Sequence, residues 1–144
     1  MIDLYNNFIE ILIKFSLINI MNNIQKRFIL FSICILVRTL FVILAYYLDK
    51  KYVYYASFPS AIIGIGFLTI YFGNFRGTGA EVFGSKIWWN SLRPLHGFNY
   101  LVFAYLAFTM KNNSYIPLLF DVILGTIVFI MYHYKSNNFR LLLR

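Results

Sequence analysis

Charge is scarce in this chain: Asp, Glu, Lys and Arg make up 12% of its 144 residues, where a soluble domain carries roughly 25%. That excludes an ordinary water-facing surface, and with 60% hydrophobic residues and a mean hydropathy of +0.68 the natural solvent is lipid. Cysteine is nearly missing. Cys34 is the single one, which excludes disulfides and cysteine-based metal sites within one chain. Acidic residues number only five against 13 Lys plus Arg, giving a formal charge of +8. No water-soluble face carries a basic stripe interleaved with aromatics, so nucleic acid is not an expected partner. The chain is too short for a second domain beside one compact bundle.

Long apolar runs are what the sequence does have. Residues 28–48 form the clearest, 21 residues against the ~20 needed to cross a hydrocarbon core. A second runs over 53–72, with Tyr52, Tyr54, Tyr55 and Tyr71 near its ends, where amphipathic rings favour the interface. Pro59 is placed to kink it. Ser57 with Ala61, and Ser60 with Gly64, put small residues four apart, which permits close helix approach and makes a homo-oligomer possible. A glycine-rich polar break follows. The third run is short over 95–110, ~24 Å at 1.5 Å per residue, and reaches spanning length as 88–110 if Trp88 and Trp89 begin it as interface anchors. The fourth covers 115–134. Asn112-Asn113-Ser114 before it matches a glycosylation acceptor, but sits so close to the run that it reads as a plain polar turn.

Residues 1–25 differ. Leu4, Phe8, Ile11, Leu12, Phe15 and Ile18 recur at helical spacing opposite Asn6, Asn7, Glu10 and Lys14, which predicts an amphipathic helix lying in the membrane surface. A helix that spans instead is the other reading of residues 4–21, and Met21 is an alternative start. The remainder, 26–144, forms the membrane domain. The fold class expected is all-α: an integral membrane bundle of four transmembrane helices with an N-terminal amphipathic helix. Cations set its orientation. Lys14, Lys26, Arg27, Arg76, Lys86, Arg93, Lys135, Arg140 and Arg144 fall on one side, and only Lys50, Lys51 and Lys111 on the other. The positive-inside rule then places both termini in the cytoplasm, where the basic face meets anionic lipid.

Ionisable groups at membrane depth are costly and call for explanation. Arg38 lies ~15 Å from the cytoplasmic end of its span and Asp121 ~20 Å from the same side, whereas Arg93 is at ~8 Å and His96 at ~12 Å. The depths of Arg38 and Asp121 match within the reach of a guanidinium, which predicts an ion pair joining the first and fourth spans. Two readings follow: a buried pair that only specifies packing, or a proton or ion relay through Asp121 and His96. His133, at a helix end, reads as interfacial.

The segment from Gly84 to His96 carries the densest information. Trp88 and Trp89 read as interface anchors, Arg93 as a side chain snorkelling to lipid phosphate, and Pro94 as a first-turn residue. The competing reading makes Arg93 and His96 part of a docking surface. Together with the aromatic third run and Asp121-x-x-x-Gly125, this segment resembles small uncharacterised multispanning membrane proteins of large DNA viruses over about residues 80–130. That resemblance implies a viral membrane component and supplies no activity.

Enzyme signatures are lacking: there is no phosphate-binding glycine loop, no nucleophile set beside a base, and no histidine pair at metal spacing. Thr69-Ile70-Tyr71-Phe72-Gly73 has the wrong order and position for a potassium filter. A lone Arg38 makes no voltage sensor. The expectation is a non-enzymatic structural or scaffolding membrane protein without cofactor or metal. The competing class is a small channel or proton-coupled carrier using Arg38, His96 and Asp121.

Overall fold

A computed structural model describes residues 23–78 and 86–142. Among these residues four long helices and one short one occur in order: α1 (Asn23–Tyr47), α2 (Lys50–Phe72), α3 (Arg93–Phe108), α4 (Ile116–Lys135) and α5 (Asn138–Leu142). A 3-10 turn, Asn90–Leu92, leads into α3. Among the described residues the only β pairing is an isolated bridge between Thr78 and Lys86. The architecture is therefore all-helical. The surface helix expected over 1–25 lies outside the described residues, except that Asn23 to Gln25 already belong to α1.

Helices α1, α2 and α4 are long and apolar enough to cross a membrane. At 1.5 Å per residue they measure ~38, ~35 and ~30 Å. They are consistent with a multi-pass membrane protein. The third apolar run, expected over 88–110, is helical over a shorter stretch. α3 has 16 residues because Pro94 sits in its first turn, where a missing N–H costs nothing, and Trp88 and Trp89 lie in the turn before it.

Each helix ends by a local rule. The Asp49 carbonyl accepts from the N–H groups of Tyr52 and Val53 at 2.9 and 3.2 Å, opening α2 one residue after the polar break. α2 then runs through Pro59 without interruption. It closes with Asn74 in the left-handed region at φ 49°, its N–H and that of Phe75 bonding back to Tyr71 and Ile70, a pairing that satisfies the last carbonyls. Met110 at φ 53° and Asn137 at φ 55° end α3 and α4 in the same conformation.

The helices pack unequally. α3 lies against α2 along its length and also meets α4; α4 carries α1; α1 makes at most marginal contact with α2. On α2 the buried residues are Val53, Ser57, Ser60 and Gly64, spaced 4, 3 and 4 along one helical face. A Cβ on Gly64 would lie 2.9 Å from the Gly97 carbonyl, and one on Gly97 would lie 2.9 Å from that of Gly64. The small-residue stripe that suggested self-association is thus occupied by α3 of the same chain. Val42, Val53, Tyr100, Phe103, Ala107 and Leu118 form a core drawn from all four long helices, near the α1–α2 and α3–α4 connections. α1 buries only Val42 and exposes Ile29, Ile33, Leu36, Val37 and Leu40, a bare apolar surface consistent with an apolar solvent.

Candidate functional site

On α4, Asp121, Gly125, Phe129 and His133 are all buried and stand four residues apart, a row along one face. Their order decides what meets them. Asp121 is 1% exposed. One of its oxygens accepts from Arg38 Nη1 of α1 at 2.7 Å, and the other contacts His96 Nδ1 of α3. Arg38 Nη1 also stands 3.3 Å from His96 Nδ1. With a neutral imidazole that donates Nδ1–H to Asp121, the same nitrogen has no lone pair left for Arg38. The carboxylate is thus the hub, holding a guanidinium and an imidazole that do not bond to each other. One side chain ties together three helices.

Gly125, one turn on, leaves open space beside the cluster. A Cβ there would stand 3.8 Å from His96 Cε1 and 3.9 Å from Ile35 Cδ1, so a larger side chain would press on both. Asp-x-x-x-Gly is therefore a socket: a carboxylate with open space one turn along its face. Phe67 of α2 approaches His96 from the other side, with ring centroids 6.0 Å apart.

Arg93 belongs elsewhere. It is 3% exposed, and its Nη1 donates to Asn90 Oδ1 at 2.6 Å and to the Arg76 carbonyl at 2.9 Å. The expected snorkelling side chain is instead folded inward, holding residues 76–78 against the entrance to α3. That segment is also tied by the Ile87 N–H bonding to the Gly77 carbonyl at 3.0 Å. Arg93 and His96, grouped in the sequence as a relay or docking pair, thus serve separate networks.

Trp88 and Trp89 are half-buried. Trp88 stacks on Tyr132 with centroids 4.4 Å apart and planes at 8°, which fastens the turn before α3 to the end of α4. His133, expected at the interface, is 1% exposed. The side-chain amide N–H of Asn138 donates to its Nδ1 at 2.8 Å, which leaves the proton of the neutral ring on Nε2. That Nε2 is buried and has no hydrogen-bond partner. Phe129 at 4.3 Å and Phe28 at 4.6 Å flank the ring, and Phe31 stacks on Phe129 at 3.6 Å.

Between the Arg38 cluster and His133 lies a cavity of about 220 Å³, lined by residues of all four long helices and the turn before α3. Neither this cavity nor the aromatic seam beside it was foreseen. The four-residue steps from Asp121 to His133 were the available signal. Among the described residues no group of three His, Cys, Asp or Glu is placed to hold a metal.

No protein-family model, curated protein or solved structure matches this chain.

Proposed function

We propose that this chain is a non-enzymatic, structural or scaffolding membrane protein. In this reading α3 makes a fourth crossing, extended by its 3-10 turn to ~30 Å and shielded by α2 and α4 from most of the lipid. Both termini are cytoplasmic. Among the described cations, Lys26, Arg27, Arg76, Lys86, Lys135 and Arg140 lie at the helix ends of that side, and Lys50, Lys51 and Lys111 at the other, which supports the orientation. The amphipathic sequence of 1–25 adds a surface helix on the cytoplasmic face. The basic face meets anionic lipid or a partner, with self-association through some face other than the Ser60–Gly64 stripe. The resemblance over residues 80–130 makes a viral membrane the proposed setting.

One observation carries the reading: Asp121 is 1% exposed, with both oxygens occupied by side chains from two other helices. A relay group must exchange protons with water, whereas a pin needs only saturated partners in a dry site. The test is pH-driven flux in liposomes carrying the protein and a lumenal pH dye. Rates equal to those of empty liposomes are expected. Faster dissipation that Asp121→Asn abolishes would replace this reading with the proton-coupled carrier.

A further inference from the structure

The row of residues along α4 ends on a group that the Asp121 cluster does not employ. His133 is 1% exposed and lines the cavity of about 220 Å³, with its Nδ1 taken by the Asn138 amide. Its Nε2–H is buried and has no hydrogen-bond partner. The rings of Phe129 and Phe28 flank it at 4.3 and 4.6 Å, but π electrons are weak acceptors. An unmatched buried donor is costly, and native structures rarely leave one without reason. The wall at His133 therefore calls for an oxygen.

The rest of the cavity says what should carry that oxygen. From His133 to Gly125 is ~12 Å along α4, and Phe31, Ile35 and Phe129 give this stretch an apolar wall. Its volume exceeds the ~150 Å³ of an apolar cavity that admits benzene, so part of a hydrocarbon chain fits. None of the described residues lining it is acidic, which leaves nothing to receive a cation. Nor is an anion called for. Arg38 is matched by Asp121 at 2.7 Å, ~18 Å along α4 from His133, and Arg27 is itself engaged. An uncharged oxygen satisfies the donor without burying an unmatched charge. In the proposed orientation His133 lies near the cytoplasmic surface and Gly125 nearer the bilayer centre, the same order as the polar end and tail of a lipid in that leaflet.

We propose that this cavity holds the end of one uncharged lipid chain, whose hydroxyl or ester carbonyl oxygen accepts the His133 Nε2–H while its hydrocarbon lies against Phe129, Phe31 and Ile35. The marginal contact between α1 and α2 leaves the rest of the chain open to the bilayer. The proposal rests on the reading of the protein as a multi-pass membrane scaffold, and makes a neutral lipid a stoichiometric part of it.

The test is photolabelling of the full chain in phosphatidylcholine nanodiscs with a long-chain alcohol bearing a mid-chain diazirine. Adducts are mapped by mass spectrometry and are expected within residues 30–35 and 125–133. Oleyl alcohol at ten times its dissociation constant should cut them about tenfold. Methyl oleate offers a carbonyl without a hydroxyl, so whichever of the two competes identifies the oxygen. 1-Octadecene has no oxygen and should compete about tenfold more weakly, as expected for one lost hydrogen bond. In His133→Phe, which keeps a packed ring and removes the donor, alcohol and alkene should compete equally. Leu30→Trp adds bulk to the cavity from a half-exposed position. It should abolish the competable adducts, and it tests occupancy even if His133→Phe unfolds.

Octadecene competing as well as the alcohol in wild type would overturn the proposal, because the donor would then be met by water alone. So would oleate competing as well as oleyl alcohol, or adducts that neither excess competitor nor Leu30→Trp reduces. An alkaline wash that strips the chain from vesicles would overturn the membrane reading and this site with it. A chain that stays in the membrane but shows no competition sinks the site alone.

Discussion

Two interfaces hold this bundle together by opposite means. Where α2 meets α3, small residues open a long close contact: Gly64 and Gly97 bring backbone against backbone, flanked by buried Ser57, Ser60, Ala104 and Ala107, and side chains such as Tyr54 and Phe108, stacked at 5.3 Å, pack around it without charge. Where α1 meets α4, side chains do everything: the Arg38–Asp121 pair and the rings of Phe28, Phe31 and Phe129. In the proposed membrane setting lipid tails are as apolar as leucine, so burial of apolar surface drives neither association. The first interface relies on dispersion over a long, close contact, and the second on a few strong, localised contacts. A distributed contact degrades gradually under substitution. A localised one fails at a single residue.

The largest expected effect breaks the localised side. Asp121→Leu should destabilise the protein by about 3–5 kcal/mol in detergent unfolding, because it strands Arg38 without its counter-charge. Arg38→Leu should cost less, since a carboxyl left behind can take up a proton and keep its bond to His96, whereas a guanidinium cannot lose one. The double change should recover most of the loss. Equal costs for the two single changes, or strictly additive ones, would show that Asp121 is not the hub.

A smaller effect is expected on the distributed side. Gly97→Val should cost about 1–3 kcal/mol by forcing α2 and α3 apart, while Gly66→Ala, which meets nothing within 4 Å, should stay within about 0.5 kcal/mol of wild type. If the two glycine variants melt together, the close approach is not what stabilises that interface. Smallest of the disruptive changes is Phe129→Leu. It loses the ring contacts with Phe28, Phe31, Trp88 and His133 but keeps most of the buried apolar volume, and should cost about 1–1.5 kcal/mol. A loss as large as that of Asp121→Leu would move the weight of the α1–α4 interface from the ion pair to the rings.

Much of this was readable before any coordinates. The apolar runs marked the helices to within a few residues, because length and hydropathy alone decide what is long and apolar enough to span. Depth arithmetic set Arg38 opposite Asp121, since helix rise is a constant. The place of His96 was harder. Being ~12 Å deep says nothing about rotation about the α3 axis, and it is that rotation, fixed by Gly97 packing on Gly64, which turns His96 toward Asp121. Arg93 was misread for a related reason. An arginine beside two tryptophans looks like a lipid contact, and its true partner, the Arg76 carbonyl 17 residues earlier, carries no side-chain signature. His133 reads as interfacial from its position near a helix end, although the steps of four from Asp121 already place it on the buried face.

The order of the helices along the chain differs from their order in space, and this bears on biogenesis. Among the described long helices α1 is the first to leave the ribosome, yet its anchor is α4, the last. Asp121 follows Arg38 by 83 residues, an interval of about 4–17 s at translation rates of ~5–20 residues per second. Throughout that interval the nascent chain carries an arginine whose carboxylate has not yet been made. In the proposed membrane setting, a helix in that condition has to wait within the insertion machinery, or beside water and phosphate at the bilayer edge, until its partner arrives. The α2–α3 pair, by contrast, is complete before α4 has emerged, and offers a finished platform on which the last helix, and then the first, can dock.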